Sequence, residues 1–275
     1  MTDFSVRFWG VRGSIACPSP KTQRYGGNTS SLEIRCGDHT LLFDAGTGLR
    51  YLGNEMVKKG PVDIDIYLTH THFDHVCGLP FFVPLFMKSN NIRIWAGHLI
   101  GRNYTIKHVI SEMMFSPLFP VPPEIFAANV QYLDFHAGAT MTPKPGVSLR
   151  TTQLNHPDRA TGYRVDFEGR SICYLTDTQH VPGKPDQNIL ALIAGADIVI
   201  YDSTYTDDEF TKRSDWGHST WQEGVRLCDA AGARKFVVFH HDPDHDDDFM
   251  DRVEKDVLAK RPGSIVAREG MVLTP

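Results

Sequence analysis

The chain has 275 residues, of which 41% are apolar and 22% charged, and its formal net charge is −5. This length allows a large buried core, and the acidic balance argues against a protein that attracts long nucleic acids over its whole surface. No apolar run approaches the ~20 residues needed to cross a bilayer, and the N-terminus lacks signal-peptide features, so we expect a cytoplasmic protein without a membrane partner.

The first part of the chain alternates β-prone runs with short helical segments. Runs rich in β-branched and aromatic residues predict strands over 5–9, 31–36, 40–44 and 64–69. A helix is predicted over 47–59, where a Gly-Pro pair ends it. A second helix is predicted over 78–87, interrupted by its two prolines.

The segment 99–119 has apolar residues at three- and four-residue spacing, which predicts a further helix. Its end, 114–123, is rich in proline and aromatic residues. The sequence leaves open whether this end is a lid or wall of a substrate cleft or an ordinary connection between strands. The residues 115–123 are also a candidate surface for a homodimer.

The second half of the chain begins with β-strands and ends with helices. Three antiparallel strands are predicted over 147–153, 162–167 and 171–176, and further strands over 197–201 and 235–239. Helices are predicted over 188–194, 220–231 and 247–260. Since no linker or repeat divides the chain, we predict one domain over 1–275, an α/β (α+β) protein with two sheets packed face to face and helices outside.

The thirteen histidines are informative through their placement rather than their number. The segment 70–75, His-Thr-His-Phe-Asp-His, offers four potential metal ligands directly after a predicted strand. In an extended chain His70 and His72 point the same way and can bind one ion together. If a helix begins after His72, Asp74 and His75 turn toward a second ion. A pair of divalent metals needs such convergence, with three or more protein ligands for each ion.

Further candidate ligands follow later strands. These are His156, Asp177 and His240, each at the end of a predicted strand, where loops converge best. A carboxylate at Asp177 is suited to bridging two ions. His240 is adjacent to His241, and the position of the preceding strand favours His240. His245, among several aspartates, is expected in a surface loop.

The pattern His-x-His-x-Asp-His resembles the first signature of the metallo-β-lactamase superfamily. The resemblance extends over nearly the whole chain and implies that superfamily's four-layer αββα sandwich with two divalent metal ions. It assigns His70, His72 and His156 to one ion, Asp74, His75 and His240 to the other, and Asp177 to a bridging position. Asp44 matches an aspartate that supports the metal-binding loop from beneath. The histidine-rich set favours Zn²⁺, although manganese and iron also fit mixed imidazole and carboxylate sites.

Two later segments resemble ribonuclease Z and the cyclic-phosphate phosphodiesterases of the same superfamily. They are Asp-Ser-Thr-Tyr at 202–205 and Gly-His-Ser-Thr at 217–220. The resemblance implies that His218 assists phosphoryl transfer near the leaving oxygen, while Asp202 orients its ring. The alternative is that His218 faces solvent ahead of a helix capped by Ser219. A phosphate contact by Arg12 or Arg24, beside glycine-rich turns, is as well supported as a structural role.

The predicted activity is a two-metal phosphodiesterase. A hydroxide held between the metals would attack phosphorus, with Asp74 orienting or deprotonating the water and His218 supporting the leaving group. The glycine- and proline-rich arm with which ribonuclease Z holds tRNA is not found in this sequence, so a small phosphodiester such as a cyclic nucleotide is favoured over long nucleic acid. The alternatives are a lactonase or thioesterase of the same fold and, less favoured, a non-catalytic ligand-binding protein.

Overall fold

A computed structural model describes residues 3–275, and within this range the chain forms two seven-stranded β-sheets flanked by helices. The strands are β1 Phe4–Gly10, β2 Ser31–Cys36, β3 His39–Phe43, β4 Asp63–Leu68, β5 Asn91–Ala96, β6 Asn129–Asp134, β7 Thr140–Lys144, β8 Val147–Leu154, β9 Ala160–Phe167, β10 Arg170–Leu175, β11 Ile198–Asp202, β12 Lys235–Phe239, β13 Ile265–Val266 and β14 Val272–Leu273. The helices are α1 Leu49–Met56, α2 Phe73–Val76, α3 Ile106–Met113, α4 Gln187–Ile193, α5 Asp207–Phe210, α6 Trp221–Ala231 and α7 Asp247–Lys260.

Each sheet has an antiparallel half and a parallel half. The first sheet has the order β14-β1-β2-β3-β4-β5-β6, and the second has the order β13-β12-β11-β10-β9-β8-β7. In the first sheet β3, β4, β5 and β6 are parallel, and in the second β10, β11, β12 and β13 are parallel. The carboxyl ends of parallel strands lie at one edge of a sheet, which is where ligand sites form most readily.

The layers are held together by three apolar clusters. One cluster lies between the sheets and includes Phe8, Tyr67 and Phe239, all buried. A second packs α1 and α3 on the outer face of the first sheet, and a third packs α4, α6 and α7 on the outer face of the second. The order helix, sheet, sheet, helix confirms the predicted four-layer αββα arrangement.

Helix ends follow the capping residues in the sequence. The side chains of Thr105, Thr220 and Asp246 accept backbone hydrogen bonds at the starts of α3, α6 and α7, respectively. Gly232 ends α6 in the left-handed conformation that favours glycine. Within residues 3–275 no helix combines the length and apolar character that a membrane span requires.

Two helix predictions in the first half were wrong. The segment 78–87 forms two short 3₁₀ turns, Leu79–Phe81 and Val83–Phe86, because its prolines interrupt α-helical hydrogen bonding. The helix predicted over 99–119 is limited to α3, which begins after its Thr105 cap and ends ahead of the proline-rich turn. The strands β5, β6 and β7 were not predicted.

Candidate metal centre

The predicted site residues come together where strands of both sheets end. The metal-binding loop, defined here as residues 69–75, follows β4, and Asp44 follows β3. From the second sheet, His156 follows β8, Asp177 follows β10, Asp202 ends β11 and His240 follows β12. Three of these residues, Asp44, Asp177 and His240, have positive φ angles of 56°, 60° and 63°. Such backbone conformations are uncommon outside glycine and concentrate at functional sites.

The metal-binding loop turns as its sequence predicted. His72 has an extended backbone and directly precedes α2, so that Asp74 and His75 lie in the first helical turn. The loop is tied to the end of β3, because Ala45 donates its amide to the carbonyl of His75 at 2.8 Å. These contacts direct the side chains before the helix start, His70 and His72, and those after it, Asp74 and His75, toward one region.

Among residues 3–275, five overlapping groups of side chains in this region have the spacing of metal ligands, and two of them match the groups that the sequence analysis assigned to separate ions. One consists of His70, His72 and His156, and the other of Asp74, His75 and His240; within each group the ligand atoms lie within 4.8 Å of one another. In the first group Nε2 of His156 lies 3.1 Å from Nδ1 of His72. In the second group Oδ2 of Asp74 lies 3.2 Å from Nε2 of His75 and 3.5 Å from Nε2 of His240.

Asp177 lies between the two groups, with one oxygen toward each. Its Oδ1 is 3.7 Å from Nε2 of His70 and 3.7 Å from Nε2 of His156. Its Oδ2 is 3.2 Å from Nε2 of His75 and 3.3 Å from Nε2 of His240. A single buried carboxylate therefore faces imidazoles of both groups, as a bridging ligand must.

Hydrogen bonds fix which nitrogen three of the imidazoles present, those of His75, His156 and His240. His75 donates Nδ1–H to Asp44 at 2.8 Å, and His156 donates Nδ1–H to the carbonyl of Gly217 at 2.8 Å. Nδ1 of His240 lies 3.0 Å from Oγ1 of Thr204. Outer partners of this kind orient metal-binding histidines and set their tautomers. Each leaves Nε2 facing the centre.

The donor set fits divalent metals. Nε2 of His70, His75 and His240 are buried nitrogens without a hydrogen-bond partner among the described residues. Buried polar atoms are rarely left unpaired unless a ligand completes them. Burial also holds the pKa of His70 well below its usual value, which favours the neutral imidazole that metals bind.

Asp44 supports the metal-binding loop from beneath. Its carboxylate accepts hydrogen bonds from the amide of Thr69 at 2.8 Å and from the hydroxyl of Tyr174 at 2.7 Å, in addition to Nδ1–H of His75. Asp44 is completely buried. The network is therefore fully enclosed, and removing its acceptor leaves several donors unpaired.

We expect Asp44→Ala to lower the free energy of unfolding of the metal-free protein by about 3–5 kcal/mol, the cost of breaking a buried charged pair. Because Asp44 orients His75, metal binding should also weaken by about 10- to 100-fold. Urea unfolding with a chelator present and metal titration measure the two effects. Tyr174→Phe is the control: it removes one hydrogen bond at nearly constant size and should cost about 2 kcal/mol. Equal stability of the two variants would contradict the role of the Asp44 network.

His218 lies beside the two groups and is paired with Asp202. Nδ1 of His218 is 3.1 Å from Oδ2 of Asp202, and Asp202 is held in turn by the amide of Thr178 at 3.0 Å. The His218 ring lies 5.0 Å from that of His240. Burial lowers the pKa of His218, but the neighbouring carboxylates of Asp202, Asp177 and Asp74 together outweigh this effect and raise the pKa to about 9. Bound cations would lower that pKa, since they add positive charge.

The structure excludes the alternative in which His218 faces solvent ahead of a Ser219 cap. His218 is largely buried, and the N-cap of α6 is Thr220, whose side chain accepts from the amide of Glu223. The Ser219 hydroxyl instead contacts Nδ1 of His180 at 2.8 Å and the hydroxyl of Tyr201 at 2.9 Å.

The two adjacent histidines after β12 have different surroundings. His240 faces the centre, as predicted, whereas Nε2 of His241 donates to the carbonyl of Ala267 at 2.9 Å. The surface prediction for His245 was wrong: it is buried, it contacts Glu209 at 2.8 Å, and its ring stacks on Phe249. That contact depends on a segment distant in sequence.

Neither arginine of the glycine-rich N-terminal segment is free to meet a phosphate. Arg12 is completely buried and donates to the backbone carbonyls of Gly26, Asp242 and His245. Arg24 is paired with aspartates of α7, at 2.7 Å from each of two carboxylates. The phosphate-binding alternative for these residues was therefore wrong, and their role is structural.

Sequence reasoning missed a segment that closes one side of the centre. The amide of Ser14 donates to Oδ2 of Asp74 at 2.8 Å. A Cβ at Gly13 would lie 2.4 Å from the imidazole of His240, so only glycine allows this close approach. The glycine-rich turn in the sequence was the available signal, but the sequence alone did not give its partner.

Comparisons with known proteins agree with the geometry. A sequence model of the beta-lactamase superfamily domain matches residues 39–241. Ribonuclease Z from Brevibacillus brevis is 34% identical over 293 residues, with 88% of this chain and 87% of the relative covered. Among solved structures, the short form of human tRNase Z has a TM-score of 0.67 at 22% identity, covering 98% of each chain. Zn²⁺-bound PqqB from Methylobacterium extorquens has a TM-score of 0.73 at 18% identity, covering 98% of this chain and 100% of that one.

The fold and the two-group site define a protein of the metallo-β-lactamase fold, as the sequence predicted. The chain belongs to the beta-lactamase superfamily, in its phosphodiesterase-like branch together with ribonuclease Z.

Proposed function

We propose that this chain, a metal-dependent hydrolase by its family, cleaves phosphodiester bonds at a centre of two divalent metals. The observation that carries the proposal is the buried His218–Asp202 pair, 3.1 Å apart, next to the two ligand groups. Cleavage of a phosphodiester expels an alkoxide, which a positioned acid can protonate. The relative named ribonuclease Z supports the same reaction class.

The ligand assignment proposed is that of the sequence analysis. His70, His72 and His156 would hold one ion, and Asp74, His75 and His240 the other, with Asp177 bridging. Divalent ions bound here would polarise the phosphoryl oxygens, lower the pKa of water and neutralise developing charge. We propose Zn²⁺, because the seven proposed ligands are five imidazoles and two carboxylates. Imidazole-rich sets of this kind suit zinc.

The remaining roles belong to side chains near the ligand groups. Asp74 is fixed by the Ser14 amide at 2.8 Å and would orient or deprotonate the attacking water. His218 would hold a proton for the leaving oxygen, and Asp202 would keep its ring in place. Asp202 is completely buried and also accepts from the amide and hydroxyl of Thr204, so it is a rigid support.

A small phosphodiester such as a cyclic nucleotide is the proposed substrate. RNA is the second candidate, favoured by the relatives named ribonuclease Z and tRNase Z. Lactones and thioesters are placed below both, because the relatives named ribonuclease Z and tRNase Z favour a phosphodiester and because the thiolate of a thioester leaves without a proton donor. A cytoplasmic location and a homodimer through residues 115–123 stay predictions from the sequence.

The zinc- and manganese-loaded protein should hydrolyse bis(4-nitrophenyl) phosphate and 2′,3′- or 3′,5′-cyclic nucleotides, and should leave a lactone panel largely unchanged. Initial rates on matched panels measure this, with chelator-treated protein as the control. A precursor tRNA in the same panel separates the two phosphodiester candidates. Turnover of lactones alone would reject the phosphodiesterase proposal.

A further inference from the structure

A pocket of about 440 Å³ adjoins the metal-binding loop and has no role in the proposed ligand set. It is lined by Phe73 of the loop, by Phe81 of the 3₁₀ turn after it, and by Met113 of α3, Leu118 and Phe119. Within residues 3–275, the side chains that line it include no charged group. Its volume lies in the range of ~300–1,000 Å³ that is usual for small-molecule sites.

The apolar walls of this pocket are open to water. Leu118 is 84% exposed, Phe73 70% and Phe81 54%. Phe81 and Phe119 meet edge to face, with ring centroids 5.9 Å apart, at one side of the pocket. Contiguous exposed apolar surface of this kind marks a binding site for a ligand or a partner.

The pocket adjoins the metal centre along the chain, because two of its lining residues, Thr71 and Phe73, flank His72. Thr71, which lines the pocket, stands between His70 and His72 in the chain. Its hydroxyl lies 3.0 Å from Nε2 of buried His98, so this wall is held in place. The side chain of His72 is 42% exposed and is followed directly by Phe73. A molecule that contacts His72 is therefore next to two lining residues of the pocket, Thr71 and Phe73.

We infer that this pocket binds the nucleobase of a nucleotide phosphodiester whose phosphate lies at the metal centre. This inference rests on the proposed phosphodiesterase function and specifies its substrate class. A nucleobase is neutral and flat, which suits uncharged walls carrying phenylalanine rings. Stacking of a base on an aromatic side chain contributes ~1–3 kcal/mol by alanine substitution. An alkyl chain and a second copy of this protein are the other occupants that the test distinguishes.

Two substrates with the same leaving group differ by the nucleoside that carries the base: thymidine 5′-(4-nitrophenyl phosphate) and methyl 4-nitrophenyl phosphate. Phe81→Ala should raise KM for the thymidine ester about tenfold, the equivalent of ~1.4 kcal/mol, and leave kcat and the methyl ester nearly unchanged. Leu118→Ser should act in the same direction. Phe86→Ala is the matched control, since Phe86 is an exposed phenylalanine nearby that does not line the pocket.

Suppose that both esters are hydrolysed and that the wild type and both pocket variants have equal KM values for the thymidine ester. This result would overturn the inference, while the proposed function stands. Lower KM for decyl 4-nitrophenyl phosphate than for the thymidine ester would assign the pocket to an alkyl chain. A dimer that Leu118→Ser dissociates in sedimentation velocity, with unchanged KM values, would assign it to a second copy. Either result would overturn the inference that the pocket binds a nucleobase.

If the wild type hydrolyses neither ester, the proposed function fails and binding decides the pocket. Equilibrium dialysis with thymidine 5′-monophosphate should then show weaker binding to Phe81→Ala than to wild type and Phe86→Ala. Equal binding to all three proteins would overturn the inference.

Discussion

Replacing Asp177 by alanine should abolish binding of at least one metal per chain and reduce phosphodiester hydrolysis by about a thousandfold or more. The carboxylate has one oxygen 3.7 Å from Nε2 of His70 and the other 3.2 Å from Nε2 of His75, so its loss affects both ligand groups. Metal ions contribute several kcal/mol to stabilising the transition state of such reactions, and each ~1.4 kcal/mol corresponds to a tenfold change in rate. Metal analysis after dialysis and steady-state kinetics measure the two effects.

Asp158→Ala is the matched control for this variant. Asp158 also lies beside the ligand groups, 3.9 Å from Nε2 of His72. Its side chain, however, is 67% exposed and pairs with Arg102. It should retain metal and most activity. Because Asp177→Ala also removes a buried charge among imidazoles, circular dichroism must show that the variant is folded, and Asp177→Asn provides a variant of the same size. Two tightly bound metals in folded Asp177→Ala would contradict the bridging assignment.

The candidate ligands within the metal-binding loop could be predicted from the sequence, because their spacing is that of an extended chain followed by the first turn of a helix. His70 and His72 have the two-residue spacing of an extended chain, and Asp74 and His75 lie in the turn that begins α2. Distant candidates were identified by their position at strand ends, and the resemblance supplied their order. Geometry brings these residues together, while their roles as ligands stay a proposal.

Long-range contacts explain what the sequence did not reveal. The Ser14 amide meets Asp74 across sixty positions of the chain, and no local pattern encodes that contact. His245 looked exposed because aspartates surround it, yet Glu209 of α5 covers it. For Arg12 the sequence supported a phosphate contact and a structural role equally, and the side chain in fact donates to three backbone carbonyls in the interior. Polar residues beside glycine-rich turns are therefore poorly assigned without their tertiary partners.

The fold was predicted well where periodicity was clear and poorly where short strands follow proline-rich turns. The helix α7, Asp247–Lys260, has the predicted bounds, since Asp246 caps it and the chain turns at the following Arg-Pro-Gly. The strand β5 was missed although Ile92 and Ile94 are buried at alternate positions. The alternating pattern of β5 was therefore available in the sequence, whereas its parallel pairing with β4 and β6 is contributed by distant segments.

The arrangement of the second sheet gives His218 a position that neither ligand group provides. β11 ends in Asp202, α6 begins just after His218, and the pair lies on the side of the centre next to His240. His218 also lies within ligand spacing of His156 and Asp177. Its position therefore permits two roles, a proton donor to the leaving group or a metal ligand, and one variant distinguishes them.

His218→Ala should reduce hydrolysis of a 3′,5′-cyclic nucleotide by about 10²- to 10⁴-fold, the range for removing a general acid, while metal content stays at the wild-type value. Bis(4-nitrophenyl) phosphate should be affected far less, because 4-nitrophenolate leaves without protonation. Added imidazole should restore part of the activity on the cyclic nucleotide. Asp202→Asn should give a smaller loss of activity, again larger on the cyclic nucleotide than on bis(4-nitrophenyl) phosphate. The reason is that this variant changes the orientation of the His218 ring but keeps the imidazole that donates the proton. Equal losses on both substrates together with loss of metal would make His218 a ligand, and the leaving-group role would then be wrong.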